Sequence, residues 1–145
     1  MLHASDQAAG LRRLFRRTPS AVVALFASGR APRALALQTL VALTEGARRV
    51  VVIDEHAPDE GSLLSAFGFP EGGDLLGALQ GQQDVTENMR EVADGLWVVP
   101  AAATVHAVSL LDEAHHARLE AGITELQRRA DLLAIHSVGD ARSLT

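Results

Sequence analysis

The stretch that most constrains the fold is Ala21–Glu55, AVVALFASGRAPRALALQTLVALTEGARRVVVIDE. It reads as a buried strand, a turn containing glycine, a helix and a second buried strand. The apolar run Ala21–Ala27 is bounded by Ser28-Gly29, and the β-branched run Val50–Ile53 ends in Asp54. Neither run alternates apolar with polar residues, which is the pattern of strands covered on both faces of a parallel sheet. Between them Leu35, Leu37, Leu40, Val41 and Leu43 fall largely on one helical stripe, and Gly46 follows as a stop signal. Strand, turn, helix and parallel strand make a right-handed crossover, with the ligand edge at the strand carboxyl ends. Ser28–Arg33 and Asp54–Asp59 both belong to that edge.

The rest of the chain extends this unit on both sides. Ser5–Arg17 reads as a short helix with Ser5 or Asp6 as N-cap and Leu11, Leu14 and Phe15 as its apolar edge. Thr18-Pro19-Ser20 breaks it, which divides the sequence into a helical arm, 1–19, and a domain, 20–145. After Asp54, Gly61–Phe67, Gly73–Leu79 and Val85–Val92 read as three short helices, and Leu96–Val99 as a compact strand ending at Pro100. Ala101-Ala102-Ala103 reads as a small-residue turn. A long helix is expected over Ser109–Arg129, with Leu110, Leu111, Leu119, Ile123 and Leu126 inward. Asp131–Ile135 is the last strand. The pattern predicts an α/β fold, a three-layer, doubly wound, mostly parallel sheet of about four strands.

Composition narrows the chemistry. A net charge of −5 argues against a general nucleic-acid surface, although Arg12, Arg13, Arg16 and Arg17 cluster in the arm, as a solvated helix face or as a contact for an acidic partner. With no cysteine there is no disulfide framework or thiolate metal site, in keeping with the expected cytoplasmic location. No apolar run approaches ~18 residues, so no membrane segment is expected. All 13 basic residues are arginines, which leaves no candidate for a phosphate-binding lysine.

The turn after the first run offers Ser28, Gly29, Arg30 and Arg33. A phosphate loop needs several glycines, a lysine and a Ser/Thr for magnesium, and the GK[ST] signature is missing. A helix N-terminus flanked by two arginines still favours an anion. Asp54, at a strand end, is either an acid that binds magnesium or positions water, or a loop acid capping the next helix. Asp54, Glu55, Asp59 and Glu60 lie near His56, without the ligand spacing of a hard-metal loop. His115-His116 reads as helix surface, and His3, His106 and His136 have no partner at metal spacing in the sequence. No metal site and no catalytic residue are therefore expected. With Trp97 and four phenylalanines as the aromatic complement, base stacking has little support.

From Asp6 to about Asp140 the order of parts resembles the MinD/ParA-type P-loop ATPases and, within them, the flagellar-number regulators FlhG, also called FleN. Asp6-Gln7-Ala8-Ala9-Gly10-Leu11-Arg12 is similar to the DQAxxLR arm that precedes the ATPase core in FlhG proteins. Arg49–Asp54 resembles the strand whose terminal acid lies by the nucleotide and magnesium. Gly73–Gln80 and Val98-Val99-Pro100-Ala101-Ala102 resemble the family's "tL.dvl.G" helix and "v.vvPAa" strand. Asp131–Ser137 takes the place of the strand that normally reads "D.vlvD", with His136 where the family has an acid. The family's KGGVGKT loop is represented only by Ser28–Arg33, lacking both lysines and the threonine.

The resemblance, taken with these departures from the family's phosphate loop and strand acid, implies a noncatalytic regulator acting by protein contact in flagellar assembly or number control, with no cofactor. Its implied partner is an FlhF-type GTPase or a flagellar transcription regulator, met by Asp6, Gln7, Ala8, Leu11 and Arg12. Self-association through uncovered apolar surface is a further expectation. The alternative is a nucleotide-binding MinD/ParA-like ATPase, holding ATP and magnesium with Ser28, Gly29, Arg30, Arg33 and Asp54.

Overall fold

The computed structural model describes residues 21–26, 32–47, 49–58, 61–70 and 72–137, with backbone alone at 32 and 33. The helical arm, and with it Asp6, Gln7, Ala8, Leu11 and Arg12, lies outside the described residues. In chain order the elements are β1 (Ala21–Phe26), α1 (Pro32–Gly46), β2 (Val50–Asp54), α2 (Leu63–Ala66), α3 (Leu75–Leu79), a 3-10 turn (Val85–Asn88) and β3 (Arg90–Ala93). They continue with β4 (Leu96–Pro100), α4 (Ala102–Ala107), a second 3-10 turn (Val108–Leu110), α5 (Glu113–Arg129) and β5 (Leu132–Ser137).

Five strands form one sheet in the order β1-β5-β2-β4-β3. β1, β5, β2 and β4 run parallel and β3 pairs antiparallel with β4, so the sheet is mostly parallel, as expected. Side chains alternate across a strand, and the unbroken apolar runs of β2 and β5 therefore split by parity into two cores. Val51, Ile53, Val99, Leu133 and Ile135 meet Leu75 and Leu79 of α3 and Leu119 and Leu126 of α5 on one face. Val50, Val52, Val98, Leu132 and Ala134 meet Leu40 of α1 and Leu63 and Leu64 of α2 on the other. That is the three-layer arrangement.

Four local expectations are corrected. Val85–Val92 is not a helix: a 3-10 turn gives way to β3, because Asp94-Gly95 closes a two-residue hairpin in which Ala93 pairs with Leu96. Gly95 has φ +74°, the left-handed conformation that such a turn takes at low cost only with glycine. Ala101–Ala103 is not a turn, since Ala102 opens α4. The long helix starts at Glu113 rather than Ser109, because the Asp112 side chain accepts the His115 N–H as an N-cap, and Leu110 ahead of it is exposed instead of inward.

The fourth correction concerns the first crossover. β1 is covered on one face only: Val23 and Leu25 pack on the core shared with α1, while Val22 and Phe26 are exposed. On α1 the buried residues are Leu40 and Ala36, whereas Leu35 and Val41 are exposed. The crossover from β1 to β2 passes over one strand, since β5 lies between them.

Candidate functional site at the strand ends

Register brings the chemistry together. β2 and β5 pair residue for residue, so Asp54, the last residue of β2, stands opposite His136, with Pro100 of β4 on its other side. Both Asp54 and His136 are buried, and His136 Nδ1 lies 2.9 Å from Asp54 Oδ1. The same oxygen accepts the backbone N–H of His56 at 3.2 Å. Asp54 Oδ2 accepts the backbone N–H of Leu63 at 2.6 Å. Since Leu63 begins α2, this acid does serve the helix that follows it, one of the two roles its position suggests. Its backbone is tied as well: the Asp54 carbonyl accepts the N–H of Ala101, and the His136 carbonyl accepts the N–H of Glu55.

His56 completes the group. Its ring stacks on that of His136 with centroids 4.0 Å apart and planes 24° from parallel, and its Nδ1 stands 3.5 Å from Asp54 Oδ1. Burial works to raise the Asp54 carboxyl, but the hydrogen bonds from His136, His56 and Leu63 outweigh it and hold the group below its usual range. The carboxylate in turn holds His56 above the usual histidine value, against the opposing effect of burial. Two ring nitrogens of the cluster, His56 Nδ1 and His136 Nε2, are buried without a hydrogen-bond partner. The sequence gives His136 no metal-spaced partner; the fold gives it two, Asp54 and His56, from the far side of the chain.

A second carboxylate organises the same end of the sheet. Asp74 caps its own helix α3 through the N–H of Leu76, and also accepts from the N–H groups of Ala103 and Thr104 and from the Thr104 hydroxyl at 2.7 Å. It thereby ties the start of α3 to the start of α4. In the sequence Asp74 has the form of an N-cap before Leu75-Leu76, but nothing local points to the second helix.

Of the other sequence candidates, Ser28, Gly29 and Arg30 lie outside the described residues, as do Asp59 and Glu60. Arg33 belongs to the first turn of α1, and its side chain is outside the described residues. β1 ends at Phe26, paired with Ser137, one residue beyond His136 on β5. His115 and His116 lie on α5, and His115 Nδ1 contacts the capping Asp112 at 2.6 Å.

No protein-family model matches the chain, and neither does any curated protein. Solved structures do match. The cobyrinic acid a,c-diamide synthase from Mycobacterium smegmatis, determined with ADP and magnesium, superposes with a TM-score of 0.63 at 22% identity, over 81% of this chain and 51% of that one. A plasmid partition protein from Borrelia burgdorferi gives a TM-score of 0.61 at 17% identity, over 82% and 56%. The ATP complex of a Cyanothece McdA variant gives 0.57 at 19% identity, over 82% and 48%. The chain thus has the α/β fold of ParA/MinD-like P-loop NTPases. It spans about half the length of these neighbours.

Magnesium, present with ADP in the Mycobacterium smegmatis neighbour, takes oxygen ligands in a near-octahedral shell. Here both oxygens of the strand-end acid accept internal hydrogen bonds, and the adjoining groups are two imidazoles. The described part of this edge does not fit that ion.

Proposed function

We propose that this chain is a noncatalytic regulator that keeps the ParA/MinD-like frame and acts by contact with another protein. The observation that carries the reading is the commitment of Asp54. The acid at the end of β2 is used for structure, holding α2 through Leu63 and β5 through His136. With no lysine in the chain, the usual grip on a nucleotide's phosphates is also missing. Exposed Val22 and Phe26 on β1, with Leu35 and Val41 on α1, offer apolar area for a partner. The more specific assignment, a FlhG-like regulator engaging an FlhF-type GTPase in flagellar number control, rests on the DQA-type arm, Asp6, Gln7, Ala8, Leu11 and Arg12.

Two measurements test it. A thermal-shift titration with ATP and magnesium should leave the melting temperature unchanged; one-site binding at ~100-fold excess over Kd would add roughly 2.7 kcal/mol and establish the nucleotide-binding alternative. Pull-down with an FlhF-type GTPase should succeed with the full chain and fail once residues 1–18 are deleted. Equal capture by both removes the arm from the proposal.

A further inference from the structure

We infer that the arm ahead of the domain docks through residues 5–17 on the uncovered face of β1 and supplies the helix that this side of the sheet lacks. Val22 and Ala24 pair in register with Leu133 and Ile135 of β5, both in the core beneath α5, so Val22, Ala24 and Phe26 share the α5 side of the sheet. α5 packs there over β2 and β5, yet all three β1 residues are exposed and none joins that core. Strands of a parallel sheet are ordinarily covered on both faces. β1 runs parallel to β5 but is covered, among the described residues, only where Val23 and Leu25 meet the core on the α1 side.

The chain itself fixes the occupant. Only Thr18, Pro19 and Ser20 separate residue 17 from Ala21, a connection of the length that lays a helix back along the strand it feeds. The size fits, since 13 helical residues run ~20 Å, as do the six residues of β1. Leu11, Leu14 and Phe15 make the apolar edge of the arm, and in an antiparallel placement that edge comes over Val22 and Ala24.

Charge favours the same contact. The arm, 1–19, holds four arginines against Asp6 alone, a net +3 within a chain of net −5, which leaves −8 on residues 20–145. α5 borders the seat with acids: its Arg118 and Gly122 face α3 and the first 3-10 turn, and at about 100° per residue Glu113 and Glu120 lie round the helix on the side of β1. The seat is one strand wide, so the contact is small and reversible. Ala8 and Leu11 fall on the same edge of the arm as Phe15. On the regulatory reading above, a partner that takes Ala8 and Leu11 must therefore first draw the arm off β1, while the docking itself needs no partner.

The test uses the full chain, isotopically labelled, without any partner. Methyl contacts of Leu11 and Leu14 with Val22 and Ala24 are the expected NMR result. A free helix of this length is marginal in water, so the amides of residues 8–17 should exchange at least about fivefold more slowly in the wild type than in Phe26→Asp or Leu14→Asp. Both substitutions lie outside the cores, and unchanged protection at Leu133 and Ile135 verifies that the domain stays folded. Leu35→Asp, exposed on the other side of the sheet, should leave the arm as protected as in the wild type. The proposal is overturned by absence of the methyl contacts, by contacts that a mixed-label sample shows to run only between chains, by equal exchange of the arm in the wild type and both folded variants, or by its release in Leu35→Asp. Capture of an FlhF-type GTPase is a separate readout, so failure there removes the partner and leaves the docking, and failure here does the reverse.

Discussion

β1 and β5 are paired strands of the same length, each built on an aliphatic run, yet they live in different surroundings. AVVALF leaves Val22 51% and Phe26 64% exposed, while all six residues of LLAIHS are buried. An uninterrupted apolar run marks a strand of a parallel sheet, but where the strand sits in that sheet depends on which other runs add beside it. β5 gained neighbours on both sides, and its polar residues, His136 and Ser137, were enclosed along with the leucines.

Truncation of side chains breaks or sharpens this contrast most strongly. Leu133→Ala, at the fully buried centre of β5, should cost about 4 kcal/mol in denaturant unfolding. Val22→Ala on the exposed face of β1 should cost less than about 0.5 kcal/mol. Similar losses at the two positions would mean that β1 is covered as β5 is.

Next in size is the loss of the enclosed acid. Asp54→Ala strips partners from His136, from the Leu63 N–H and from the His56 N–H, and should destabilise by about 3 kcal/mol, read from the same unfolding curves. Asp74→Ala should cost about 2 kcal/mol, since it leaves the buried Thr104 hydroxyl and two helix starts without their acceptor. Restoring the carboxylate as glutamate should recover little, because both helices are met by one short side chain.

The smallest effect is on pH dependence. Asp54 is held below the usual carboxyl value of 3.8, so its contribution is present above that pH and is lost as pH falls through the lower folded value. His56 is held above 6.5, so its contribution is complete below that pH and is lost as pH rises through the higher folded value. Melting temperatures measured from about pH 3 to 9 should therefore decline on both sides of an interval between 3.8 and 6.5. His56→Ala should flatten the alkaline decline and leave the acid one in place. An unchanged alkaline slope would dissociate His56 from Asp54.

Much of the frame was legible because its signals are local. Val50–Ile53 and Leu132–Ile135 announce themselves as β-branched or aliphatic runs, and Leu119 and Leu126 stand two helical turns apart on one stripe of α5. Asp94-Gly95 was an equally local hairpin signal, and reading Val85–Val92 as a helix passed over it. Leu35 and Val41 misled for another reason: the apolar stripe of α1 was wider than the face that found a partner, and a residue's character does not say whether another element covers it.

The candidate site divides along the same line. The sequence by itself determined that β2 ends in an acid, that a histidine closes the last strand, and that no lysine is available for a phosphate. These are properties of residues and of their immediate neighbours. Only the tertiary structure decided that β5 lies between β1 and β2, in the register that sets His136 against Asp54 and beneath the ring of His56. Pairing between strands is a contact across 82 residues, fixed by the packing of both sheet faces at once, and no local pattern carries it.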